Sequence, residues 1–174
     1  MEWPDRWYAW RSGDGCPSCA EGRPDESSTG VRYFAGEVAD AYLLRADIQR
    51  GLSIVVWRGR HVVEPTELSD SEAAVYGCEV MAVGRALETT FSAVKMNYNV
   101  LGNWVPHLHT HIVPRYADDP RPGWPFPFPE PDPPSMPQER LERDAALLRA
   151  ALAVPAGDRR LADRDLRACD AAGD

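Results

Sequence analysis

The sequence predicts an α+β fold with about five strands, one long helix and a C-terminal helix. Three observations predict it. Short runs rich in β-branched and aromatic residues are set off by glycines. One serine-capped stretch carries apolar residues at helical spacing. A second helical pattern follows a proline-rich segment near the end.

Val31 to Phe34 and Asp40 to Arg45 read as a hairpin around Gly36. Leu52 to Trp57 is the clearest strand, with Ile54-Val55-Val56 at its centre and Gly51 and Gly59 at its ends. Ser69-Asp70-Ser71-Glu72 is a capping box: the serine hydroxyl meets the amide three residues on, and Glu72 reaches back. The helix it opens should reach about Thr90, with Ala73, Tyr76, Val80, Val83 and Leu87 on one stripe. Gly84 within it leaves room for another helix to come close, as at a subunit contact, although a plain core face accounts for the stripe as well.

Ser92 to Tyr98 and His107 to Val113 supply two more strands. The proline-rich stretch from Pro120 to Pro137 lacks the amides that a sheet interior or helix needs, so it should run as an extended strap. Its Trp124, Phe126 and Phe128 should pack over the body; the alternative is a ligand segment of SH3 type. Gln138 to Ala153 closes the fold as a helix with Leu141, Leu148 and Leu152 on one side.

A chain of 174 residues with 44% hydrophobic content suits one domain with a real core. Its net charge of −8 argues against wrapping a nucleic-acid polymer, because phosphate backbones are held by clustered cations. No apolar run reaches the roughly 18 residues of a membrane span. Met1 to Trp7 has neither the basic start nor the apolar centre of a secretion signal, so the expected compartment is the cytoplasm.

Three of the four histidines stand at alternate positions in His107-Leu108-His109-Thr110-His111-Ile112-Val113. In an extended strand alternate side chains share a face, so the three imidazoles would line one side. At about 3.3 Å per residue, His107 and His111 would sit about 13 Å apart. Ligand atoms lie about 2 Å from a zinc ion, so a regular strand cannot bring all three to one metal. At least one histidine must do something else, and imidazole is also a nucleophile. Cys16-Pro17-Ser18-Cys19 has the spacing of a zinc half-site; a thioredoxin-like redox pair is the rival, but it requires a strand before the motif and a helix at it.

The stretch from Leu101 to Tyr116 resembles the signature of the histidine triad family: histidine, apolar, histidine, apolar, histidine, then two apolar residues. Arg50 to Val56, followed by Arg60-His61-Val62, resembles the family's preceding strand and basic turn, and the Ser69 helix falls where its long helix does. The resemblance implies an antiparallel sheet with helices, and a homodimer that joins two sheets. It divides the chain into an N-terminal segment 1–15, a catalytic domain 16–116, a strap and helix 117–154 packed on that domain, and a flexible tail 155–174.

The resemblance also implies nucleotidyl transfer to the middle histidine, His109, followed by release of a nucleoside monophosphate to water. His111 would contact phosphate oxygens or the departing group. Asn97 and Asn103 fall nearest the family's phosphate-contacting positions, and Asp47 near its ribose grip; asparagines near a turn can equally be turn formers, and a loop aspartate merely solvated. In the zinc-bearing branch the first triad histidine is a metal ligand, so Cys16, Cys19, His61 and His107 would hold a structural zinc. The expected activity is hydrolysis of a nucleotide such as a dinucleoside polyphosphate or an adenylate. The alternatives are a nucleotidyltransferase or phosphorylase using the same histidine, or a non-catalytic, zinc-stabilised nucleotide-binding dimer. Two departures stand out: Trp104 occupies a position where many members have serine or threonine, and Leu52 replaces a histidine common in the phosphoramidase branch.

Overall fold

In the computed structural model, which describes residues 2–127 and 133–153, five antiparallel strands form one sheet. They are β1 (Gly30–Ala35), β2 (Ala39–Leu44), β3 (Ser53–Trp57), β4 (Lys95–Asn99) and β5 (His109–Arg115), in the order β1-β2-β3-β5-β4. Two short helices, α1 (Asp5–Arg11) and α2 (Pro17–Glu21), precede the sheet; α3 (Asp70–Phe91) connects β3 to β4, and α4 (Gln138–Ala153) ends the described chain. No described helix is long and apolar enough to cross a membrane.

Register sorts the side chains into two faces, because alternate residues on a strand point opposite ways. Ala41 opposes Val55, and Val55 opposes Thr110. With Leu43 and Ile112 these residues join the main core, against Tyr76, Val80, Val83 and Leu87 of α3 and Leu141, Ala145 and Leu148 of α4. The Thr110 hydroxyl is 2.9 Å from the buried Tyr76 hydroxyl, which satisfies the one polar side chain that β5 sends into this layer. The other face carries Asp40 against Val56, Val56 against His109, and Ile54 against His111. Apolar residues therefore anchor β5 from behind while its histidines look outward.

The capping box at the start of α3 forms as the sequence predicts, with Ser69 accepting from the Glu72 amide and Glu72 from the Ser69 amide. Two strand starts lie two or more residues later than predicted. Ser92 adopts a left-handed conformation (φ 55°) as the C-cap of α3, so β4 begins at Lys95. The amide of His107 bonds the Val105 carbonyl at 2.9 Å, which turns the chain there, so β5 begins at His109. Gly84 packs against a strand and not another helix: a Cβ there would lie 2.2 Å from the Tyr98 hydroxyl.

The strap packs unevenly. Phe126 joins Leu44, Leu52 and Val113 in a small second core, with its ring 5.8 Å from the Arg115 guanidinium. Trp124 is 65% exposed, contrary to expectation. Phe128 and residues 155–174 lie outside the described residues. Farther along, Met136 donates its amide to the Arg45 carbonyl at 2.6 Å and so leads into α4.

Gly51 sets the turn into β3 at φ 76°, and a Cβ there would meet the Phe91 ring at 2.7 Å and Pro114 at 3.1 Å. Gly51→Ala combines a strained backbone with overpacking and should cost about 1–3 kcal/mol. Urea denaturation reads this as a lower midpoint at constant slope; an unmoved midpoint would contradict the packing at this turn.

Candidate active site

A cleft of about 650 Å³ opens on the outward face of the sheet. Tyr42 of β2, Ile54 and Val56 of β3, and His109 and His111 of β5 form its floor. The loop from Leu101 to Val105 forms one wall, and Ser18, Ser27 and Thr29 contribute on the other side. An apolar floor with a few polar groups suits a ligand that has both a flat ring system and a polar part.

Hydrogen bonds fix which nitrogen of His109 is basic. Its Nδ1 lies 2.7 Å from the carbonyl oxygen of His107, and a carbonyl can only accept. Nδ1 therefore carries the proton, and Nε2 holds the lone pair. Burial lowers the pKa of His109, partly opposed by that hydrogen bond. The His111 ring is centred 5.1 Å away at an 83° angle. Burial, and secondarily the His109 charge, bring its pKa down to about 4. Both rings are therefore neutral near pH 7, so His109 keeps its lone pair and His111 can still donate one N–H.

His107 belongs to a different constellation. It is 3% exposed, and its Nε2 donates to the Trp57 carbonyl at 2.9 Å, which leaves Nδ1 unprotonated. That Nδ1 lies 3.6 Å from the Cys16 sulfur and 3.5 Å from the Cys19 sulfur. His61 repeats the pattern: Nε2 faces the Arg11 carbonyl at 3.3 Å, and Nδ1 is 3.4 Å from the Cys19 sulfur. All four ligand atoms lie within 4.8 Å of one another. Sulfur and nitrogen bound tetrahedrally to one zinc sit about 3.5 Å apart, given bond lengths of about 2.3 and 2.05 Å. The set thus fits a closed tetrahedral site, and each imidazole is oriented by a backbone carbonyl. Cys16 lies just before the short α2 and Cys19 within it, with no strand leading in, unlike a redox CxxC.

A buried carboxylate organises the wall between the two constellations. Asp40 is fully buried, takes bonds from Arg23 at 2.7 and 2.8 Å and from Arg58 at 3.0 Å, and lies 3.6 Å from Arg32. Arg58 also donates to the Tyr42 hydroxyl at 3.1 Å and to the Ser18 carbonyl between the two cysteines at 3.3 Å. It thereby ties the cleft floor to the cysteine loop. Sequence reasoning missed this residue, although its signal was present: an aspartate inside an otherwise apolar strand demands a buried cation nearby.

The remaining site residues expected from sequence are divided. Asn103 lines the cleft. Asn97 does not; its Oδ1 accepts from Arg115 at 2.6 Å. Asp47 is also absent from the cleft lining and pairs with Arg140 of α4, which fastens the strap end. Both departures follow from nearby arginines, which the sequence alone did not bring together.

The family model of the HIT domain matches residues 41–118. No curated protein matches the chain. Among solved structures, the fold is similar to a histidine triad protein from Marinobacter aquaeolei VT8, which is 27% identical with a TM-score of 0.63, covering 71% of this chain and 89% of that one. A histidine triad protein from Sinorhizobium meliloti 1021 aligns at 24% identity and a TM-score of 0.65, over 77% of this chain and 99% of the other. A Zn-bound histidine triad family protein from Mycobacterium smegmatis shares the fold at 24% identity and a TM-score of 0.53, over 83% and 90%.

Proposed function

The chain belongs to the histidine triad family through its domain at residues 41–118, and from that premise we propose that it is a nucleotide hydrolase that releases a nucleoside monophosphate by way of a nucleotidyl-phosphohistidine on His109. The observation that carries this is the bond from His109 Nδ1 to the His107 carbonyl, which directs the lone pair to Nε2 of a ring lining the cleft. In the first step Nε2 attacks the α-phosphorus. The N–P bond forms as the P–O bond to the leaving group breaks, and the electron pair departs with that oxygen. In the second step water attacks phosphorus, the N–P pair returns to Nε2, and one proton passes to solvent. Dividing the reaction avoids direct displacement by weakly nucleophilic water.

His111 contributes a neutral N–H donor beside the reacting phosphoryl oxygens or the leaving oxygen, where charge accumulates. Asn103 adds a donor from the loop wall. Tyr42, Ile54 and Val56 provide the flat apolar floor for the nucleoside. Asp47 and Asn97, on this reading, act from outside the cleft.

Cys16, Cys19, His61 and His107 would hold a structural zinc ion. Bound by these four residues, zinc would cross-link the N-terminal loop to the strand ends. A second copy of the chain would dock at the β4 edge of the sheet, where Val94 and Tyr98 are 66% and 40% exposed beside the half-exposed Met81 of α3.

His109→Ala should abolish mononucleotide release from diadenosine polyphosphates and prevent trapping of labelled phosphohistidine, lowering kcat by at least about 10³-fold. Undiminished turnover in that variant rejects the mechanism, and tight nucleotide binding without any trapped label in the unaltered protein favours a non-catalytic binder. Elemental analysis should find one zinc per chain. Its chelation should remove about 3 kcal/mol and lower Tm by roughly 5–10 °C; a metal-free protein with unchanged melting would remove zinc from the account. Light scattering should give twice the chain mass, falling to the chain mass in Tyr98→Lys, and a monomer in the unaltered protein would exclude the β4 docking.

A further inference from the structure

A second cleft of about 450 Å³ adjoins the first and shares Asn103 and Trp104 with it. Its other walls come from the N-terminal segment, with the indoles of Trp3 and Trp7 foremost. Those two rings are centred 4.6 Å apart at 30°. Trp7 is fixed in place, since its Nε1 donates to the Gly102 carbonyl at 3.2 Å. That bond ties α1 to the loop that walls the catalytic cleft. Trp3 and Trp104 are much freer, at 47% and 78% exposed, and α1 buries none of its residues.

Large indoles left in water around a concavity are expensive for the fold and contribute little to its core. Their faces suit a flat aromatic ring, and such stacking is tolerant of which base is presented. Arg6 also lines this cleft, as does Glu2, and is the one cation among the described residues of its lining. Trp104 lines both clefts and so presents an aromatic wall between them.

We propose that Trp3, Trp7 and Trp104 form a leaving-group subsite that stacks the distal nucleobase of a dinucleoside polyphosphate, with Arg6 beside the bridging phosphates. The inference rests on the hydrolase reading above and assigns the residues that bind the leaving half of such a substrate. The proximal nucleoside occupies the first cleft, its α-phosphorus lies at His109, and the chain of phosphates crosses the shared wall at Asn103 and Trp104. Selectivity for two-headed substrates then resides in a segment that precedes the triad domain.

Trp3→Ala alters an exposed side chain outside the His109 cleft, so it tests recognition without disturbing the core or the catalytic floor. It should raise KM for diadenosine triphosphate about tenfold with kcat little changed, in line with the loss of one stacked base. KM for adenosine 5′-phosphosulfate, whose leaving group carries no ring, should stay within about twofold, and Trp3→Phe should restore most of the loss. Equal effects on both substrates, or none on either, would overturn the subsite. A protein that hydrolyses neither substrate refutes the hydrolase reading alone. The subsite is then judged by tryptophan fluorescence in the His109→Ala protein as purified: it requires stronger quenching by diadenosine triphosphate than by adenosine monophosphate, reduced in Trp3→Ala, and equal quenching by the two nucleotides overturns it.

Discussion

One hydrogen bond, from the His109 ring to the carbonyl of His107 at 2.7 Å, holds the candidate nucleophile to the backbone of the candidate metal ligand. The His107 ring in turn donates to the Trp57 carbonyl on the neighbouring strand. Two donors thus run in series from β5 to β3, and each fixes a tautomer. His109 is left with a basic Nε2, and His107 with a basic Nδ1 facing two sulfurs. Breaking the strand at His107 separates two chemistries that a regular strand would have placed on one face.

The sheet supports this separation through the contrast between its faces. Behind β5, Thr110 and Ile112 are locked against α3, so the outward histidines cannot exchange faces without burying imidazole and exposing core. In front, Asp40 and its arginines form a charged wall that is stable only as a set, since a buried charge without its partners is costly. Arg58 extends that set to the cysteine loop, and any shift of the proposed metal site would be felt at Tyr42 on the cleft floor.

Much of the fold was legible because its signals are local. The capping box at Ser69, the Ile54-Val55-Val56 run and the leucines of α4 each act within one or two turns or one strand, and each element appears where its pattern lies. Legibility failed where distant residues compete. Ser92 ends a helix instead of starting a strand because its left-handed cap returns an amide to Glu88. Asp47 and Asn97 pointed toward a ligand in sequence, but Arg140 and Arg115 engage them in space. Trp124 lies in solvent although its neighbour Phe126 is packed.

The sequence by itself determined the α+β fold, the apolar and polar alternation of β5, and the residue types available for metal and nucleotide chemistry, since side-chain period and chemical identity are properties of the chain. The tertiary structure alone decided which imidazole nitrogen carries a proton, that His107 turns toward Cys16 and Cys19 while His109 and His111 face the cleft, and that the N-terminal indoles meet Trp104. Those outcomes depend on carbonyls, sulfurs and rings contributed by segments up to about a hundred residues apart, and a tautomer or a ligand geometry does not exist until such partners are within bonding distance.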